Sequence, residues 1–172
     1  SLWMKNNTCC LWKNIASCNS SGTNPLIFAS PISGKVEPQF YAGVFPAPSV
    51  TFGSTATKDA FGAIDEWMHI FIVRDGNDAQ LWINGVDNDG VQSNVSFAGI
   101  DTLVRSFGGD GIRNGYPFEG QMSNIALWNN DQSANVTAIY NNGAPGDLSS
   151  YSPLTWWKLD SSTSQWNGTE WL

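Results

Sequence analysis

Residues 67–85 constrain the fold more tightly than any other stretch. Trp67-Met68-His69-Ile70-Phe71-Ile72-Val73-Arg74 is an apolar run of strand length, expected to be buried on both faces. Asp75-Gly76-Asn77-Asp78 supplies residues that tolerate the positive φ of a tight turn. Ala79-Gln80-Leu81-Trp82-Ile83 then returns, and Asn84-Gly85 turns the chain once more. Two reversals so close together predict an antiparallel sheet.

The rest of the chain keeps the same grammar: period-two apolar patterning broken by Gly, Pro, Asn and Asp. Strands are expected at Ser1–Lys5, Leu11–Ala16, Pro25–Ala29, Val36–Ala42 and Val44–Phe52, the last pushed toward an edge or bulge by Pro46 and Pro48. Further strands are expected at Thr102–Phe107, Gly120–Asn129 and Leu154–Leu159. One helix is expected, capped by Asp131 or Ser133. Its apolar stripe is Val136, Ile139 and Tyr140, and Asn141-Asn142-Gly143 and Pro145 end it. The fold class that follows is all-β: a two-sheet antiparallel jelly-roll sandwich with one short helix. The first strand begins at the first residue, so the domain is expected to start earlier than the chain.

At 172 residues, the chain has the length of one ordinary domain and can bury about 70% of its unfolded surface. Its net charge of −7, with no basic cluster, argues against nucleic acid as a partner. No apolar run approaches the ~20 residues of a membrane helix, so membrane insertion is not expected. An aromatic share of 13% argues against disorder, and a charged share of only 13% against a coiled coil.

The three cysteines are Cys9, Cys10 and Cys18. Either Cys9 or Cys10 can bridge Cys18 across a local turn, or all three stay reduced. With a single histidine, His69, they do not make a metal site. Asn-x-Ser/Thr sequons occur at Asn6, Asn19, Asn94, Asn135 and Asn167, and matter only on a eukaryotic secretory route.

Three ordered segments resemble one family. Trp67–Gly76 followed by Leu81-Trp82-Ile83-Asn84-Gly85 is similar to the paired central strands of LamG-like, concanavalin A-like jelly rolls. Phe118-Glu119-Gly120-Gln121-Met122-Ser123-Asn124-Ile125-Ala126-Leu127-Trp128 resembles a later strand of that family, and Ala138–Gly143 resembles its helix ending. The closing run Gly143–Ser150, with Trp156-Trp157-Lys158-Leu159-Asp160, is similar to LamG-like modules in large structural proteins of marine bacteriophages. That last segment also resembles the opening strand of a following module. The expected layout is one LamG-like domain over residues 1–150, with 151–172 as a closing strand or the start of the next module. The chain is then one module of a longer polypeptide.

Fold resemblance leaves function open. The glucanases that share the sandwich resemble E-x-D-x-E on one strand, two of whose carboxylates act as nucleophile and acid. The nearest positions here read Ala63, Asp65 and Trp67, so no catalytic residue is assigned and the chain is expected not to be an enzyme. His69 reads as a structural core residue. Asp87-Asn88-Asp89-Gly90 and the turn around Asp110 hold the oxygen ligands that hard cations prefer. Asp87, Asn88, Asp89 and Asp110 are therefore the candidate metal ligands, with calcium the candidate ion and no cofactor required, although Asp and Asn also favour turns for backbone reasons alone. For stacking on sugars, Trp166 and Trp171 in the polar tail are the least core-like tryptophans, whereas Trp67, Trp82 and Trp128 lie in strands that the core claims first.

The expected function is a non-catalytic structural and adhesive surface module of an extracellular assembly. The resemblance points first to a phage virion protein, a capsid decoration or a fibre, with glycan binding as an added capacity. The expected location is the virion surface or the extracellular space. The expected partners are other protein subunits of the assembly and host or environmental glycans. Two alternatives stay open: a secreted calcium-dependent lectin or adhesion module, and a degenerate glucanase relative retained for carbohydrate binding.

Overall fold

The computed structural model describes residues 1–6, 13–17, 25–32, 35–39, 65–76, 78–92, 106–108 and 118–159, with the backbone alone for 6, 13–17, 25–32, 35–39, 89, 92 and 106. The strands are β1 (Leu2–Asn6), β2 (Lys13–Ser17), β3 (Pro25–Ile32), β4 (Lys35–Gln39), β5 (Trp67–Asp75) and β6 (Asp78–Ile83). They continue as β7 (Val86–Gln92), β8 (Ser106–Phe107), β9 (Gly120–Ser123), β10 (Ile125–Leu127) and β11 (Thr155–Trp157). One short helix, α1 (Val136–Tyr140), lies between β10 and β11. Every described strand pairing is antiparallel. The chain is an all-β, two-sheet jelly-roll sandwich, with a five-stranded sheet ordered β7-β6-β5-β1-β9 and a four-stranded sheet ordered β4-β3-β2-β8. A two-stranded pair, β10-β11, completes it. The sequence expectation of a strand across Val44–Phe52 lies outside the described residues, as does the pairing of Cys9, Cys10 and Cys18.

The β5-β6-β7 meander forms where the hairpin signals place it. Asn84 and Gly85 both have positive φ, 51° and 77°. That is the type I′ geometry whose twist matches its flanking strands. Asn84 also extends the ladder: its N–H donates to the His69 carbonyl (3.0 Å) and its Oδ1 accepts from the His69 N–H (2.9 Å). Gly85 lies close under the Tyr140 ring, where a Cβ would sit 2.8 Å from the ring edge.

Alternation along the strands splits the five-stranded sheet into two buried faces. Leu2, Met4, Met68, Ile70, Leu81 and Ile83 fill one. On the other, Phe71 and Trp82 meet edge to face with ring centroids 5.8 Å apart. There they join Ala126, Val136, Ile139 and Leu148 in one core cluster, so α1 and the segment after it roof that face. Each such buried side chain contributes roughly 1.5–3 kcal/mol. Burial on both faces of β5 matches the sequence reading from Met68 to Phe71, but not at Trp67, which is 43% exposed where the strand begins.

Two segments differ from the sequence reading. Gly120–Asn129, read as one strand, is split at Asn124, whose φ of 50° puts it in the left-handed region. Trp3 pairs with Ser123, yet two residues earlier Ser1 exchanges both backbone hydrogen bonds with Ala126 (2.9 and 3.0 Å). One extra residue is therefore inserted at Asn124, a β-bulge that bends β9 into β10. The second difference is Asp87–Gly90, read as a loop. It lies within β7, paired to β6 at Ile83↔Val86, Trp82↔Asp87 and Leu81↔Asn88 with a register shift before Ala79↔Gln92, because the tight Asn-Gly turn sets the register and the strand continues from it.

Candidate functional site

Asn124 organises a groove from three separate segments. It is 4% exposed, and its backbone N–H and both side-chain polar atoms are engaged. Its backbone N–H donates to the Lys158 carbonyl (2.8 Å), its Nδ2 donates to the Gly146 carbonyl (3.1 Å), and its Oδ1 accepts from the Trp156 indole N–H (2.6 Å). The left-handed backbone is what lets one side chain reach both neighbours, and Asn tolerates that conformation better than most residues. Ser123 adds a hydroxyl bond to the Lys158 carbonyl (3.0 Å). The bulge thus ties the turn at 145–147 to the strand that carries Trp156 and Lys158.

The groove holds about 390 Å³ and is lined by Ser123, Asn124, Pro145, Gly146, Asp147, Trp156 and Lys158. Its size falls in the range of small-ligand pockets. Trp156 packs one side of its indole on the core cluster, and the Lys158 ammonium lies 4.7 Å from the ring centroid. Among the described residues that ammonium makes no hydrogen bond. Asp147 is exposed on the other wall. The Ser149 hydroxyl and N–H (2.8 Å from Oδ1), with Lys158 beyond them, hold its carboxyl below the usual carboxylate range. An indole, the ammonium that lies over it and an ionised carboxylate therefore share one small concavity. They offer an apolar face, a strong acceptor and a strong donor.

A second groove of about 400 Å³ runs between Phe71–Asp75 and Ala126–Gln132. There the polar groups serve local turns: Arg74 Nε donates to the Gly76 carbonyl (3.3 Å), and both Asp131 oxygens accept from Ser133 (2.7 and 2.9 Å). The Trp128 indole N–H donates to the Tyr151 carbonyl (2.9 Å).

Of the metal ligands named from sequence, Asp87 and Asn88 have described side chains, and the structure does not bring those two together. Asp87 is exposed and accepts from Gln80 Nε2 (2.8 Å) and the Gly90 N–H (3.1 Å). Asn88, next along β7, points the opposite way. It sits opposite Leu81, is 3% exposed, and its Nδ2 has no hydrogen-bond partner among the described residues. The Asp89 side chain and all of Asp110 lie outside the described residues, as do Trp166 and Trp171. Among the described residues no three His, Cys, Asp or Glu side chains gather to hold a metal. Asp65 and Glu66 are exposed in the turn before β5, and Asp65 pairs with Lys5 at 3.4 Å. His69 is fully buried between Trp3 and Tyr140, with Nε2 2.9 Å from the Ser1 hydroxyl and Nδ1 without a partner among the described residues. Of the sequons, Asn6 is described by its backbone alone and Asn135 with its side chain. Asn135 is half-buried, and its amide already donates to Gln132 Oε1 (2.7 Å).

Sequence reasoning did not name Asn124, Asp147, Trp156 or Lys158 as site residues. The available signal was the Trp156-Trp157 pair, since alternation must send the two rings to opposite faces. Trp156 follows Ala126 to the core side, whereas Trp157 follows Ile125 and meets Phe107 of β8 at 5.6 Å.

A laminin G family model, described as the concanavalin A-like lectin/glucanases superfamily, matches residues 1–138. The chain belongs to that superfamily. Membership suggests a carbohydrate-binding or adhesion module. No curated protein matches the chain. The superfamily match covers the five-stranded sheet and the Asn124 bulge. The remaining walls of the groove, Gly146–Asp147 and Trp156–Lys158, follow the matched span.

Proposed function

We propose that this superfamily member is a non-catalytic adhesive surface module of an extracellular assembly, and that it binds a glycan in the Asn124–Lys158 groove. The observation that carries the reading is the shared presence of the Trp156 indole, the Asp147 carboxylate and the Lys158 ammonium around one concavity. Sugars present C–H faces to an indole and hydroxyls to charged acceptors and donors. Absence of catalysis is supported by the lining: Asp147 is its single carboxylate among the described residues, and canonical glycosidase chemistry uses two. The low-charge, Asn/Ser/Thr-rich composition suits hydrogen-bonded contact with neighbouring subunits, as on a virion. A glycan-array screen of the purified chain, with calcium and again with a chelator, tests the reading. Binding that survives the chelator is expected. Absence of binding to every glycan would leave only a scaffold or decoration role.

A further inference from the structure

We infer that the groove selects uncharged glycans over acidic ones; this rests on its reading as a glycan site. Asn124 spends both side-chain polar atoms inside the protein, so it offers a ligand little beyond shape. The Ser123 hydroxyl is likewise spent on the Lys158 carbonyl. The side chains left to address a ligand are the Asp147 carboxylate, the Lys158 ammonium and the apolar surfaces of Pro145 and Trp156.

One carboxylate and one ammonium lining the same groove suit a neutral polyol. One hydroxyl donates to Asp147 while another oxygen accepts from Lys158, and both bonds are charge-assisted. A uronate, sialate or sulfated sugar finds the same ammonium but also meets the carboxylate within the same small volume. That carboxylate is held ionised by Ser149, so it does not yield its charge readily to an incoming anion. The chain as a whole carries −7, which adds a repulsive field against polyanions. One ammonium opposed by one carboxylate is therefore a discriminator against negative charge.

The test uses the full chain and matched probes: gluco-, manno- and galacto-oligosaccharides beside glucuronate, mannuronate and galacturonate oligomers of equal length. Affinities are measured by calorimetry at low and high salt for the wild type and Asp147→Asn. Asn keeps an oxygen to accept from Ser149, and a thermal melt checks that the variant folds. At least one neutral oligomer is expected to bind with little dependence on salt. Its uronate counterpart is expected to bind about tenfold more weakly or worse. Asp147→Asn is expected to weaken the neutral ligand and strengthen the acidic one, so that the ratio collapses. A wild-type chain that prefers the uronate, or a variant that leaves the ratio unchanged, would overturn the inference while sparing glycan binding. Binding of neither class would remove the glycan reading itself.

Discussion

Two buried rings on the five-stranded sheet show how single residues set the behaviour of the whole. Trp82 is 8% exposed, stands edge-on to Phe71 and touches the cluster roofed by α1. Trp82→Ala is expected to cost about 3–5 kcal/mol in a denaturant melt, the range for deleting a large buried aromatic. A loss under ~1 kcal/mol would mean that the ring is not a core residue. His69 acts through protons rather than volume. Burial pushes its imidazole down to about 3, whereas unfolded it titrates near 6.5. Between those values the unfolded chain holds a proton that the folded chain refuses, so the contribution of His69 to stability falls as pH drops through that window and is flat above it. Between about pH 7 and pH 5 the wild type is expected to lose ~2 kcal/mol more than His69→Gln. Equal losses in both proteins would place the titrating group elsewhere. Both residues were legible in sequence, because they sit in a strongly patterned hairpin. Trp67 shares that pattern but stands at the strand's first position, where 43% of it stays exposed. Hydrophobic pattern gives the face of a strand, not how far along it the neighbouring layer extends.

Elements were legible where a turn announces itself and obscure where one residue changes the path. The Asn84-Gly85 dipeptide fixes its hairpin and so fixes β7. The Asp and Asn residues that read as a loop at 87–90 are carried into the strand by pairing that outweighs their propensity. Nothing local marks Asn124 as a bulge, because the motif around it keeps strand-like alternation and the extra residue shows only against β1. Its dual role can be separated by substitution. Asn124→Gly keeps a backbone suited to the left-handed region and loses the bonds to Gly146 and Trp156. Asn124→Ala loses the same bonds and adds backbone strain of roughly 1 kcal/mol. Both variants are expected to be destabilised, Ala beyond Gly by about that amount, and both are expected to lose glycan binding as the groove walls separate. If Ala and Gly melted alike, the left-handed backbone at Asn124 would not be a constraint. The groove was beyond sequence reading for a related reason. Its walls come from 123–124, 145–147 and 156–158, and no short spacing links them. The tryptophans that looked free for sugars, Trp166 and Trp171, stood out only because their surroundings are polar.

At the scale of the molecule, the question is whether the sandwich needs a cation to hold its surface. Oxygen-rich stretches made calcium the natural candidate, but a hard cation needs its ligands converging at 2.3–2.6 Å. Successive residues of a strand diverge. Asp87 faces solvent, where Gln80 and the Gly90 N–H already occupy it, while Asn88 faces the interior opposite Leu81. Bringing both to one ion would mean breaking β7 away from β6 and exposing an inner face filled by Leu81 and Ile83. A bound ion at about 100-fold excess over its Kd would add ~2.7 kcal/mol to folding stability, a clear rise in melting temperature. Saturating calcium, and then a chelator, are expected to leave the melting temperature unchanged. A calcium-dependent rise abolished by Asp87→Asn would show that β7 opens to make a site. One that Asp87→Asn leaves intact would assign the ion to ligands other than Asp87. An unchanged melt together with glycan binding that survives the chelator would assign recognition to Asp147, Lys158 and the Trp156 indole, with no metal in the contact.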